Sequence, residues 1–136
     1  QEKIERAGED SFSLLPAFKG KPKTTRSTLI SHSISGHFSI RQGDWKLCLS
    51  AGSGGWSAPK ENEAKKQGLS PIQLFNLKQE KSEKTNLQAK NKAKVKELIE
   101  LLDKEVRNGR SSSGKKVPND REVSYLPKGF AIPKSN

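Results

Sequence analysis

The chain is poor in the residues that cross-link, anchor or fill a small protein. Its 136 residues include one cysteine, no methionine and only 6% aromatic residues. A single cysteine excludes an internal disulfide and gives no redox compartment. No apolar run approaches membrane-spanning length. Hydrophobic residues make up 30% of the chain, so the core must be thin, and we expect disordered ends or a face that another segment completes.

The start of the chain also lacks familiar signals. Residue 1 is glutamine, and no signal-peptide pattern follows it. We therefore expect that the chain is cut from a longer protein.

The net charge of +11 is the strongest compositional bias. Such a charge favours polyanionic partners such as nucleic acid, an anionic membrane or a sulfated polysaccharide. The lysines and arginines, however, are scattered among 15 acidic residues. Aromatic residues are not interleaved with any basic stretch, so a base-stacking platform is absent and nucleic acid is disfavoured.

Period-two patterns and turn residues predict a small antiparallel sheet. We predict strands at 28–34, 38–41, 45–49 and 72–77, with a hairpin turn at Gly43. Upstream, an apolar stretch interrupted by Pro16 predicts a short helical turn that docks on a surface, and residues 20–26 form a basic loop. Residues 59–70 form a polar excursion before the last strand.

A long amphipathic helix follows the predicted strands. Apolar residues recur at helical spacing between residues 89 and 108, and Gly109 is a natural stop; they are Val95, Leu98, Ile99, Leu102 and Val106. The helix needs a sheet under its apolar stripe because it is not stable alone in water. The predicted class is α+β: about four antiparallel strands, one long C-terminal helix packed on them, and irregular tails. In the tail, Tyr125, Phe130 and Ile132 are expected to dock as an extended strap.

Residues 74–87 carry the most informative pattern. They read Leu-Phe-Asn-Leu, then Glu80, Glu83 and finally Asn86-Leu87. This stretch resembles the strand and turn that close the C-terminal subdomain of sulfatases, where Leu-Tyr-Asp-Leu precedes Asp-Pro, a Glu and Asn-Leu at the same spacing. The sequence departs from that pattern at Asn76 and at Glu80-Lys81, and the loss of proline leaves the turn less rigid.

A second segment resembles the same family. Residues 31–47 contain His-Ser, a glycine, Ile-Arg and Gly-Asp-Trp-Lys-Leu in the family's order, with Ser31 where many members have another histidine. The resemblance covers roughly residues 8–109. It implies a connector or junction at 1–20, the sulfatase C-terminal subdomain at 21–109, and an extended, mobile tail at 110–136.

The resemblance implies a function for a larger protein. Arylsulfatase-type enzymes attack sulfate esters with a formylglycine, made from Cys or Ser in a Cys/Ser-x-Pro-x-Arg motif, beside a bound calcium. Cys48 does not fit that motif, and we expect it to be structural. The calcium ligands and formylglycine would lie in a catalytic domain upstream. This chain would be inactive alone, would pack on that domain as its partner, and would form part of the substrate-pocket rim, with a periplasmic or extracellular location favoured.

Four residues are candidates for binding the sulfated substrate. In some sulfatases a histidine near the second segment reaches toward the pocket, which makes His32 and, less strongly, His37 candidates, although a hydrogen-bonded structural imidazole is the more usual role. Arg41 could bind an anion through its planar fork, pair with Asp44 or hold the domain junction. Trp56 could stack on a sugar face or be buried against the junction. No catalytic residue and no metal site is predicted in this chain.

The rival hypothesis is a small independent basic module that binds a polyanion, either a sulfated polysaccharide or nucleic acid. A subdomain cut from an enzyme should expose an apolar face, whereas an independent module should be monomeric and well covered.

Overall fold

A four-stranded antiparallel sheet with one long helix across it forms the protein, in a computed structural model that describes residues 8, 10–21 and 26–132. The strands are neighbours in chain order, from β1 at one edge to β4 at the other. The predicted α+β class is confirmed. The elements are α1 (Leu15–Phe18), β1 (Thr28–His32), β2 (Phe38–Gln42), β3 (Trp45–Cys48), α2 (Glu61–Lys66), β4 (Gln73–Asn76) and α3 (Lys92–Asn108).

The sheet is a meander whose register follows from its turns. Gly43 has φ +58°, the positive value that a side chain disfavours, and it allows the tight return from Gln42 to its partner Trp45. The predicted hairpin is therefore confirmed. β1 ends at His32, before the predicted end at Ile34, because residues 33–37 turn back toward β2 with Gly36 at φ +79°.

The helix α3 covers one face of the sheet. Its predicted apolar residues Val95, Leu98, Ile99 and Leu102 are fully buried, and they pack with strand residues such as Ile40, Leu47 and Leu74 in one core. The helix begins three residues later than predicted, at Lys92, and ends at Gly109, whose φ is +65°. The alternating strand pattern and the helical stripe thus meet in a single apolar layer.

The i,i+4 spacing in the sequence predicts two ion pairs on α3, Glu100 with Lys104 and Asp103 with Arg107. Arg107 Nε donates to Asp103 Oδ2 at 2.7 Å, which confirms the second pair. Glu100 Oε1 lies 3.8 Å from Lys96 Nζ instead. Such exposed pairs contribute only a few tenths of a kcal/mol each.

The polar excursion predicted at 59–70 contains the short helix α2, which was not predicted from the sequence. The helix has glutamates in its first turn and lysines in its last, which complements the helix dipole. Glu63 accepts a hydrogen bond from the Lys60 backbone N–H at 2.8 Å, and Ala64 is buried. With one buried residue in six, the segment carries no apolar period from which the helix could be recognised.

The two ends of the chain dock differently. In the tail, Tyr125 and Phe130 pack on the core as predicted, whereas Ile132 is exposed. Near the start, Pro16 lies in the first turn of α1 instead of interrupting it, a position where its missing N–H costs nothing. Residues 1–7 and 9 of the predicted connector and residues 22–25 of the predicted basic loop lie outside the described residues. The boundaries at residues 20 and 109 remain predictions.

Candidate functional site

Three of the four predicted substrate-binding residues lie at one end of the sheet. We call residues 32–37 the histidine loop and residues 53–57 the tryptophan loop. A Cβ added to Gly54 would lie 3.0 Å from Ser33 Cβ, and one added to Gly55 would lie 3.2 Å from Ile34 Cγ2. The two loops therefore touch, and glycine is what allows the approach. His32, His37 and Trp56 are brought into one region that was not evident from their spacing in the sequence.

Each histidine has a defined setting in this region. The His32 ring is exposed and meets Phe38 edge-on, with centroids 4.1 Å apart and an interplanar angle of 80°. The His37 backbone closes the histidine loop: its N–H donates to Ser33 Oγ at 3.1 Å, and its carbonyl accepts from the Ser33 N–H at 2.9 Å. His32 thus presents an imidazole to solvent at the loop end, and His37 is half-buried beside it.

Trp56 is the most exposed large apolar side chain in the described part of the protein, at 84%. Its neighbour across the loop contact, Ile34, is also exposed, at 69%. Trp56 is therefore not buried against the described residues of the segment 8–20, as the alternative interpretation expected. An exposed aromatic ring is able to stack on a sugar, and an exposed imidazole such as that of His32 is able to hydrogen-bond sugar substituents.

Arg41 lies away from this cluster. It is the fourth residue of β2, between Leu29 and Lys46 in the ladder, and its Nε donates to the Gly43 carbonyl at 2.9 Å. It does not form the alternative salt bridge with Asp44. Three residues of strand separate it from Phe38, about 10 Å at 3.4 Å per residue. Arg41 therefore belongs to the hairpin end of the sheet, and the two histidines belong to the other end.

Cys48 lies on the sheet face opposite α3. Burial raises the pKa of its thiol more than the nearby Lys46 lowers it. A protonated thiol is a weak nucleophile at neutral pH. This setting agrees with the structural role expected from the sequence.

The segment that resembles the sulfatase turn is held by its own side chains. Asn86 Oδ1 accepts from the Leu74 N–H at 3.0 Å while its Nδ2 donates to the Ile72 carbonyl at 3.0 Å, which ties the turn to β4. Glu80 accepts from the Thr85 N–H and the Ser82 hydroxyl, both at 2.9 Å. These hydrogen bonds, that to Thr85 foremost, hold the pKa of Glu80 below its ordinary value. They close the turn without the proline of the family pattern.

Two further carboxylates have structural roles that sequence reasoning missed. Glu83 binds Lys46 Nζ at 2.8 Å across the turn and the sheet. Glu61 accepts from the Ala51 and Gly52 N–H groups at 3.1 and 3.0 Å, which orders the start of the loop that leads to Trp56. Neither contact has a short-range sequence signal, because the partners are 37 and 9 or 10 residues apart.

A separate groove lies between the end of α3 and the tail. It has a volume of about 450 Å³ and is lined by residues of both signs, including Asp103, Arg107 and Tyr125. The Tyr125 hydroxyl donates to Asp103 Oδ1 at 2.5 Å. Burial, and next this hydrogen bond, raise the pKa of Tyr125 to about 12. No predicted site residue lines this groove.

The described residues do not assemble a metal cage or a membrane span. Among residues 8, 10–21 and 26–132, no three His, Cys, Asp or Glu side chains are grouped so as to hold a metal ion. Within that part of the chain, carboxylate side chains are therefore not grouped into the oxygen cage that calcium requires. Within the same residues, no helix has both the length and the apolar character needed to cross a bilayer.

Comparisons with known proteins give a structural relative. No family model matches the chain, and no curated protein matches it. A solved structure does match: BT33336S-sulf, described under "Metabolism of multiple glycosaminoglycans by Bacteroides thetaiotaomicron is orchestrated by a versatile core genetic locus", with a TM-score of 0.59 and 28% identity. The relative is a sulfatase.

The match involves most of this chain but only a small part of the sulfatase. It covers 76% of this chain but only 21% of the sulfatase chain. The chain therefore spans about a fifth of the solved relative that it matches. The sulfatase resemblance seen in two sequence segments is supported by an independent comparison of folds.

Proposed function

We propose that this chain is the C-terminal portion of a sulfatase, a sulfuric ester hydrolase of the formylglycine-dependent, arylsulfatase-like type, and that it is inactive alone. The observation that carries the proposal is the match at 28% identity to one fifth of a sulfatase. The two motif segments, 31–47 and 74–87, support it independently of the overall fold. From the relative's setting in glycosaminoglycan metabolism, we further propose a sulfated glycan as the substrate of the parent protein.

The first part of the role is to pack on a catalytic domain. Leu14, Leu15 and Phe18 of the α1 region are 65, 55 and 82% exposed. Fully burying such a side chain contributes about 1.5–3 kcal/mol. The segment is fixed at its base, because Asp10 Oδ1 accepts from the Ser111 N–H at 2.6 Å. A positioned apolar turn with no cover in the described residues suits a surface of the missing catalytic domain.

The second part is to supply one side of the substrate-pocket rim. The histidine and tryptophan loops place Trp56, Ile34 and His32 at one end of the sheet. We assign Trp56 to stacking on a sugar ring, and His32 to hydrogen-bonding a sulfate or hydroxyl group. His37, half-buried in the same loop, supports this edge and contacts substrate only if the loop opens. Arg41 stays a predicted anion-binding residue at the hairpin end, outside this cluster.

The bond-breaking chemistry belongs to the proposed catalytic domain. There, formylglycine would supply the nucleophile and calcium would neutralise sulfate charge. The residues of this chain would bind and orient the glycan at the rim. A periplasmic or extracellular location is part of the proposal and follows from the family resemblance alone.

The decisive experiment uses the coding sequence upstream of Gln1. We expect a catalytic domain with the Cys/Ser-x-Pro-x-Arg motif, and sulfate release from a sulfated glycan by the full protein when formylglycine is installed. Residues 1–136 alone should release none. A Trp56→Ala variant should raise the KM for the glycan while leaving turnover of a small aryl sulfate unchanged.

The rival, an independent basic module, predicts a different outcome. An open reading frame without a catalytic domain, together with a chain that is monomeric, cooperative in unfolding and free of apolar-dye binding, would overturn the sulfatase proposal. Retained activity of the full protein after deletion of residues 8–109 would overturn it as well.

A further inference from the structure

Five exposed lysines line the connector between β4 and α3. Lys78, Lys81, Lys84 and Lys90 lie in the connector with two glutamates, and Lys92 is the first residue of α3; all five lysines are exposed. None of the five forms a salt bridge with a described residue. We call these five residues the connector surface.

The two glutamates of the connector are engaged elsewhere. Glu80 accepts hydrogen bonds within its own turn, and Glu83 is paired with Lys46 at 2.8 Å. The charge of Glu83 is therefore balanced by Lys46, which leaves one carboxylate, Glu80, to offset the five lysines. The exposed side of the connector remains strongly positive.

The connector is a fixed frame for these charges. The Leu77 N–H donates to the Asp44 carbonyl at 2.7 Å, at the hairpin end of the sheet. The Leu87 N–H donates to the Leu74 carbonyl at 2.8 Å, so the chain returns along the β4 edge. Lys78, Lys81 and Lys84 lie in the segment between these two anchors, and Lys90 and Lys92 follow shortly after the second anchor. Several cations on one anchored segment suit an extended polyanion.

The residue types select among polyanions. The sequence has no aromatic residue between Phe75 and Tyr125, so the connector offers no platform for stacking bases. It has no arginine between Arg41 and Arg107, so the planar fork that reads phosphates and base edges is absent. Lysine ammonium groups alone act as point charges. They fit a polymer whose charge is dense and regular and whose recognition needs no base contact.

We propose that the connector surface binds the chain of a sulfated polysaccharide at a position distinct from the rim loops, and so holds a polymeric substrate on the enzyme. The choice of a sulfated polymer rests on the proposed function, whereas the position of the surface rests on the lysines. Binding at this edge would lower the KM for a polymer without altering the turnover of a small sulfate ester.

The test compares two triple variants with the same change in charge. Lys78→Gln/Lys81→Gln/Lys84→Gln removes part of the connector surface, and Lys104→Gln/Lys116→Gln/Lys128→Gln removes three exposed lysines elsewhere. Heparin affinity is measured by calorimetry over a series of salt concentrations, after circular dichroism has shown that both variants keep the wild-type fold. Each lost contact should lower the slope of log K against log salt by about 0.7–0.9, as for nucleic acids.

The expected result is a loss of about ten- to one-hundred-fold in heparin affinity for the connector variant at low salt, and less than about threefold for the control. Equal losses in the two variants would overturn the proposal, because diffuse charge would then explain binding. A single-stranded DNA that binds as tightly as heparin, with the same sensitivity to the connector variant, would overturn the choice of polymer. Sulfate release from a small ester tests the proposed function separately: an inactive parent that still binds heparin refutes that function and leaves the connector surface standing.

Discussion

Replacing the exposed apolar residues of the α1 region tests whether this chain is built to lie against another body. The variant Leu14→Ser/Leu15→Ser/Phe18→Ser removes side chains that are 65, 55 and 82% exposed. Substitutions at such exposed positions change the free energy of unfolding by no more than about 0.5 kcal/mol each. We therefore expect the urea midpoint of the isolated chain to move little, while the fluorescence of an apolar dye bound to it falls.

The same variant should behave differently in the full protein. If the three side chains become buried on the catalytic domain, their loss removes about 1–2 kcal/mol each, scaled from the burial of whole side chains by their exposed fractions. The summed effect, about 3–6 kcal/mol, should appear as faster thermal inactivation of sulfatase activity. Leu102→Ala is the control, because Leu102 is fully buried in the core and its truncation costs about 2–5 kcal/mol in the isolated chain itself.

The reasoning would be refuted by either of two results. One is a triple serine variant that destabilises the isolated chain as much as Leu102→Ala does, which would place the α1 residues in the chain's own core. The other is an unchanged inactivation rate in the full protein, which would mean that the α1 residues face solvent there too.

Three further predictions concern the chain by itself. The pKa of Tyr125 is raised to about 12 in the folded state, so its contribution to the free energy of unfolding is fully present below pH 10 and is lost as the pH rises from 10 to 12. The urea midpoint should therefore fall over this pH range, and Tyr125→Phe should abolish the part of the fall that is due to Tyr125. Gly54→Ala places a Cβ on a backbone with φ +74° and only 3.0 Å from Ser33 Cβ, whereas Gly68→Ala places one at φ +69° with no atom nearby. The left-handed backbone alone costs roughly 1–2 kcal/mol of folding stability, so Gly54→Ala should cost more than that. Equal losses of stability for the two variants in thermal melts would disprove the loop contact. Asn86→Ala leaves the Leu74 N–H of β4 and the Ile72 carbonyl just before β4 without their side-chain partner, so it should cost about 2 kcal/mol or more. Asn62→Ala is the matched control, and equal urea midpoints for the two variants would contradict this prediction.

The parts of the fold that sequence could predict are those with a repeating apolar pattern. The stripe from Val95 to Val106 and the alternation through Ile40 and Leu47 each specify one buried face, and both are confirmed. The short helix α2 escaped prediction because its position depends on Glu61 binding two backbone N–H groups of a distant loop. Hydrogen bonds between remote polar groups leave no periodic trace in a sequence.

The candidate site illustrates the same division. The residue types at His32 and Trp56 could be selected from sequence for their chemistry. Their proximity could not, since it depends on Gly54 and Gly55 allowing two loops to touch. Arg41 was selected together with them but lies at the other end of β2. The extended backbone of a strand advances about 3.4 Å per residue, which carries Arg41 away from the histidine loop.

The distribution of unmet interactions bears on the catalytic domain that we propose as the partner of this chain. Among the described residues one buried side-chain atom, Glu105 Oε2, lacks a hydrogen-bond partner. Several large apolar side chains, by contrast, are left uncovered at α1 and at the histidine and tryptophan loops. The unmet interactions of the described residues are thus mostly apolar. A catalytic domain that packs here would contribute mainly apolar contact, whose strength depends little on the salt concentration. Polymer binding by the connector lysines, in contrast, weakens steeply as salt is added. Ionic strength can therefore separate the two interactions in one protein: raising it should release the glycan while the chain stays docked.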